Sequence, residues 1–357
     1  MRWLPLLLLP LLGCRAEVDS GGLLRSVDPA RSEVFHQGVL MARTNAAADW
    51  HGAVVIDGEG TERWRWRGLG EVVRIRRNQD GTLLVALDDN RHSVGAVRRE
   101  SLEGVVFESI PTPLVHHDLL TLPDGRWAWL EHDHRRLRVD GRERKISSDK
   151  LMVAAPGGEP EQVFSFLANY PVTPWFVCSH MSEGWRFPGQ HQWTHSNSLV
   201  LDPARPGEIL ILPRNLDAIV AVDIDRGRVT EQLGGRDSTV PFPAEAELSH
   251  PHMSQVTPTG TLLVFDNGLH HDDASRVVEL ARTDDGLEVV WSVDHPSGER
   301  NGYLGDARRL PGGNTLVAWS SSARLTEYAP SGDIVWDMEL EDTKHIGRIQ
   351  LWEGELP

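Results

Sequence analysis

Cysteine is nearly absent from this chain of 357 residues, which carries only Cys14 and Cys178. A disulfide framework is therefore excluded, and stability has to come from the fold itself. Positive charge is also short: 36 lysines and arginines face 52 acids, for a net charge of -16. A nucleic-acid surface needs clustered lysine and arginine to displace counterions, so this balance argues against such a partner. It leaves room for an anionic small molecule, which a few local basic residues can hold inside an acidic protein. Long apolar runs are missing too. The apolar stretch Leu4 to Leu12, interrupted by Pro5 and Pro10, is too short to span a bilayer. No long amphipathic helical pattern appears anywhere, which removes the all-helical classes.

What is present is repetition. A chain of this length exceeds one ordinary compact core, so it divides into domains or repeats a small unit. Five apolar, β-rich hairpins recur around tight turns: Val72 to Ala86, His117 to Leu130, Asn197 to Leu212, His252 to Phe265 and Gly305 to Trp319. Their turns are Asp80-Gly81, Pro123-Asp124-Gly125, Pro203 to Gly207, Pro258-Thr259-Gly260 and Pro311-Gly312-Gly313, where glycine supplies the positive φ of a hairpin. Between them lie outer hairpins, at Val54 to Trp66, Val94 to Phe107, Met152 to Phe166, Ile219 to Leu233, Val277 to Trp291 and Glu327 to Trp336. With the strand-like Ile346 to Trp352 at the far end, the pattern predicts an all-β, six-bladed β-propeller closed by pairing of N- and C-terminal strands. A sandwich, or two smaller β-domains, is the competing architecture. The 13 tryptophans suit packing between radial sheets.

Aligning the hairpins on their turn prolines sets His117, Asn197, His252 and Gly305 in one register, six residues before Pro123, Pro203, Pro258 and Pro311. Two residues earlier stand Val115, His195, His250 and Tyr303, on the same strand face by the period of two. Propeller blades begin near the axis, so these positions converge on a central site. Asp118 and Asp306, one residue on, are expected on the opposite strand face. Histidine clusters of this kind also suit zinc or copper, and no carboxylate stands in the register itself to complete a metal site. His270-His271 reads as a solvated loop, and Trp185 to Gln192 as a lid.

Several stretches resemble the bacterial aryl-sulfate sulfotransferases. They are His116-His117-Asp118 before Leu122-Pro123-Asp124-Gly125, Trp193 to Ser198, Arg214 to Ile219, His252 ahead of Phe265-Asp266-Asn267-Gly268, and Gly305-Asp306-Ala307 before Leu310 to Asn314. The resemblance implies transfer of a sulfuryl group from an aryl sulfate donor to a phenolic acceptor. It implies neither a nucleotide donor nor any cofactor or metal. By it, His252 is the histidine transiently sulfated, while His117, His195, Asn197 and Arg214 hold the sulfuryl oxygens. His116 and His250 are expected among the substrate-binding residues. A second histidine, His195 or His117, protonates the departing phenolate. Arg214 has a plain alternative as a surface partner of Asp217 or Asp223, and Asn197 as the side chain closing a strand-start turn. The chain departs from the family pattern at Pro251 and Met253, which flank the nucleophile. It also lacks room between Arg15 and Ala48 for the N-terminal sandwich of some members, which favours a monomer.

Leu11-Leu12-Gly13-Cys14 resembles the lipobox of bacterial lipoproteins. That implies a signal at residues 1–13, acylation of Cys14, an extension over 14–48 and the propeller over 49–357. The mature protein would be periplasmic and held at the outer membrane by its lipid alone. An ordinary cleaved secretory signal is the other reading, and it too places the protein outside the cytoplasm. Two further function classes remain open: a non-catalytic outer-membrane binding module, and a histidine-metal-dependent hydrolase or lyase.

Overall fold

In a computed structural model, described over residues 22–45, 51–66, 71–88, 95–172, 189–271 and 273–357, six antiparallel sheets form the blades of a propeller. Each begins with an inner strand. Those of blades 2 to 6 are Glu71–Arg77, Val115–Thr121, Ser196–Leu201, Pro251–Val256 and Asp306–Arg309. Blade 1 takes its inner strand from the far end of the chain, Thr343–Leu351, and places it against Val39–Asn45. Successive inner strands pack on one another around an axial tunnel. The five inner hairpins and the final strand read from sequence are these elements.

Closure happens twice. Besides the blade 1 pairing, Leu23–Val27 adds a fifth strand to blade 6 against Ile334–Glu339. The propeller thus begins before residue 49, inside the segment expected to be an extension. Each joint ties the two chain ends by backbone hydrogen bonds, so the ring has no free radial edge at which to open.

Alternating Val, Leu and Ile fill the space between blades. Trp127, Trp129, Trp193, Trp319, Trp336 and Trp352 are fully buried there, the packing role their number suggested. Trp336 Nε1 donates to the Gly58 carbonyl across the blade 6 to blade 1 joint at 2.8 Å.

One irregularity positions the site. The pairing register of the inner strand shifts at equivalent points in blades 1 to 5, at Gly347–Arg348, Val73, His117–Asp118, Asn197–Ser198 and His252. Such bulges re-aim side chains and break the alternation of faces. At Asp118 the expected alternation of faces therefore fails, and Asp306, on the unbulged blade 6 strand, also faces its neighbouring blade at the axis. Both are buried beside the axis: Asp118 accepts the Leu199 amide of the next blade at 2.9 Å, and Asp306 accepts that of Ile349 at 2.9 Å.

Candidate active site

The bulge level brings His117, Asn197 and His252 to the axis, with Gly305 and Gly347 from the remaining neighbours. His252 is 5 % exposed, and its Nδ1 lies 2.8 Å from the Gly305 carbonyl oxygen. A carbonyl can only accept, so Nδ1 carries the proton and Nε2 keeps a lone pair. Gly305 is required at its position. Its φ is +107°, and a Cβ there would lie 2.2 Å from the Phe265 ring. The glycine in the aligned register is thus the residue that holds the histidine.

Asn197 is completely buried, and its Nδ2 lies 3.5 Å from the Pro251 carbonyl beside His252. It ties blade 4 to blade 5 and does more than close its own turn. His117 stacks edge-on with His195 at 4.7 Å. His195 Nδ1 lies 2.8 Å from Gln192 Oε1, at the end of a short strand, His191–Gln192, that pairs parallel with blade 3. Residues 189–192 are the described end of the expected lid, of which residues 185–188 lie outside the described region.

Arg214 opens a 3-10 turn, Arg214–Leu216, directly after the second strand of blade 4. It is 5 % exposed, with Nε donating to Asn215 Oδ1 at 3.1 Å. Its burial is at odds with the surface alternative; Asp223 pairs with Arg226, and Asp217 with His270. Burial pulls all three site histidines well below the ordinary value of 6.5. The field of Arg214 adds to this at each of them, and that of Arg348 at His117 and His252.

The companion register two residues earlier does not converge as a set. Val115 is core and Tyr303 is 46 % exposed. His250 is buried, faces the His270 ring at 5.0 Å, and donates its backbone amide to Asp217. His270 Nδ1 sits 2.8 Å from Asp217, so it is a fixed partner in this support and not a solvated loop residue. Backbone strain marks the mouth instead: His117, His195, His250 and Leu304 have φ of 55°, 51°, 64° and 58°.

His116 is buried directly against His117. It is 1 % exposed, with Nδ1 at 2.8 Å from His117 Nδ1 and Nε2 at 3.2 Å from Asp149 Oδ1. The other Asp149 oxygen accepts Thr194 Oγ1 and the Ser196 amide. His116, His132 and Asp149 present ligand atoms within 4.8 Å of one another. Yet the two rings are stacked at 4.0 Å with planes 19° apart. Imidazole lone pairs lie in the ring plane, so an ion at ~2.1 Å from both nitrogens would stand well out of each plane. The arrangement suits proton transfer along Asp149, His116 and His117 better than ligation.

Sequence alignment missed Arg348. Buried on the closing strand of blade 1, it reaches across the tunnel, where its Nη2 donates to the Asn197 carbonyl and, at 3.3 Å, to that of His252.

The molecule is thus a six-bladed propeller with a buried histidine and arginine site at one end of its axis. The family model for arylsulfotransferase (ASST) matches residues 26–239, more than half of the chain, and the chain belongs to that family. Arylsulfotransferase is accordingly its general class of activity. The matched span includes His117, His195, Asn197 and Arg214, while His252 lies beyond it. No curated protein matches the sequence significantly. Among solved structures, a protein of unknown function from Bacteroides caccae is similar at 13 % identity, covering 89 % of this chain and 99 % of its own, with a TM-score of 0.57. A chain of the nidogen/laminin complex is similar at 11 % identity, covering 88 % and 98 %, with a TM-score of 0.52. These two likenesses show the fold alone.

Proposed function

We propose that the protein moves a sulfuryl group from an aryl sulfate ester to a phenol in two steps through His252, without a nucleotide donor. The observation that carries this reading is the His252 ring itself: buried, held neutral, with Nδ1 committed to the Gly305 carbonyl and Nε2 left as a nucleophile. In the first step the Nε2 lone pair forms an N–S bond, the S–O bond to the aryl group breaks, and the phenolate leaves with the electron pair. The Gly305 carbonyl then supports the positive charge left on the ring. In the second step the acceptor oxygen attacks sulfur, the N–S bond breaks, and the phenol proton passes to a base.

His117 suits that base better than His195. Asp149 Oδ1, 3.2 Å from His116 Nε2, favours the tautomer with its proton on that nitrogen, so the Nδ1 lone pair faces His117 and His117 Nε2 is left to accept. His195 ends on the neutral amide of Gln192. Arg214, with Asn197 and His195, stabilises charge on the sulfuryl oxygens, a donor role worth ~3 kcal/mol. His116 and His250 support these groups from behind. The protein acts as an exported monomer, carried on a lipid at Cys14, which lies outside the described residues.

Incubation with para-nitrophenyl sulfate and phenol tests the reading. Nitrophenolate release that depends on the acceptor and is lost in His252→Ala is expected. Release that ignores phenol, or that survives the substitution, contradicts it.

A further inference from the structure

One level below the histidines, the residue that follows or completes each bulge is Arg74, Asp118, Ser198, Met253 or Arg348, and the unbulged blade 6 supplies Asp306 in the equivalent position. Arg74 and Arg348 stand at this level on adjacent blades and act on each other electrostatically. Arg76 and Arg308 reach the same ring from the next turn of chain. Arg74 Nε lies 2.9 Å and Arg76 Nη2 3.1 Å from Asp118, while Arg308 Nε lies 3.2 Å from Asp306. Four arginines therefore share two carboxylates.

The excess charge is deeply buried. Arg74 has a side-chain exposure of 2 %, Arg348 is 3 % exposed, and Nη1 of each meets no protein acceptor among the described residues. An uncompensated buried ion is unfavourable by several kcal/mol, and guanidinium does not readily escape by losing its proton. Burial and the neighbouring guanidinium groups already push the Arg74 pKa well down. A counter-ion is the remaining remedy, and a route exists. A cavity of about 1080 Å³ opens at the turn end of the tunnel, with Arg74 in its lining together with Arg76 and Arg308.

We propose that the axial tunnel binds a small inorganic anion against Nη1 of Arg74 and Nη1 of Arg348, entering from the turn-end cavity. The site is distinct from the sulfuryl position above it and does not depend on that chemistry. A small ion fits better than a large polyanion because the arginines at the mouth are already engaged: Arg99 by Glu108, Arg309 by Glu279 and Arg77 by the Glu353 carbonyl. The unsatisfied charge lies in the throat.

Crystals of the full chain grown in sodium bromide should show anomalous scattering within hydrogen-bonding distance of both Nη1 atoms. A sulfate soak that displaces it would identify an oxyanion as the better ligand, and persistence of bromide would identify a halide. In solution, the melting temperature should rise with chloride relative to gluconate at equal ionic strength. Arg74→Met should need at least tenfold more chloride for the same rise. Should that variant fail to fold, Arg308→Gln, on the cavity wall, should weaken the chloride response severalfold. Bromide at the surface only, or an equal chloride response in wild type and variant, overturns the proposal.

Discussion

The two ends of the tunnel solve the same backbone problem with different residues. At the turn end, where each inner strand enters its hairpin, positive φ falls on Gly81, Gly125, Gly260 and Gly313. Glycine adopts that conformation without a steric penalty. At the opposite end it falls on His117, His195, His250 and Leu304 besides Gly305. There each non-glycine residue bears strain on the order of 1 kcal/mol. One end is built for folding, the other for holding imidazoles where a regular strand would not place them. Electrostatics differs too: the arginines at the turn-end mouth face carboxylates or carbonyls on the cavity wall, whereas the fields of Arg214 and Arg348 also fall on buried histidines.

The comparison breaks most severely at the nucleophile. His252→Ala is expected to lower turnover by at least ~10⁴-fold, the scale seen when a covalent group is removed, while leaving the fold intact by circular dichroism. Arg214→Met should lower kcat by about 10²-fold, the loss expected for one donor to a developing oxyanion, with little change in melting temperature. A smaller and more selective effect is expected at Asp149→Asn. An amide that donates to His116 reverses the proton order along the relay and leaves His117 unable to accept. Acceptor-dependent turnover should fall about tenfold, or ~1.4 kcal/mol, while labelling of the enzyme by donor continues. Equal loss of both half-reactions would return Asp149 to a purely structural role.

Stability should carry the same signature. Because His252 titrates well below 6.5 when folded, the unfolded chain binds the extra proton first as pH falls. Its contribution is thus fully present above about pH 6.5 and lost progressively below it, with a slope of up to ~1.4 kcal/mol per pH unit. His252→Asn should flatten urea-unfolding stability over pH 5 to 6.5 by about that slope; an unchanged profile would mean the ring is not held neutral. Smallest of all, Leu304→Asn, at a strained φ of 58°, should stabilise by a few tenths of a kcal/mol. At the other end Gly125→Ala, at a φ of 87°, should destabilise by about 1 kcal/mol. The same sign at both ends would remove the contrast.

Much of this was legible in the chain because turn chemistry is local. Glycine-containing turns located five hairpins, four of them with a proline, and counting back from the prolines placed His117, Asn197 and His252 in one register. What stayed hidden shares one cause. The blade 1 inner strand has no turn, since its hairpin is made from opposite chain ends, so Arg348 has no proline to be counted from. Blade 2 turns on Asn78 to Gly81 without proline, which concealed Arg74. The bulge at His117–Asp118 then defeated the rule of alternate faces and misplaced Asp118; Asp306 stands on a regular strand and meets the axis through its partner Ile349 of blade 1, which is distant in sequence. His116 and His250 meet Asp149, Asp217 and His270, partners too distant in sequence to be read from the strand register.

The most direct test of the central claim is intact-mass analysis after brief exposure of the protein to an aryl sulfate in the absence of acceptor. A gain of one sulfuryl group, mapped by peptide fragmentation to His252 and lost on adding phenol, is the predicted result. An unlabelled protein that still turns over, or a label on another residue, would contradict it.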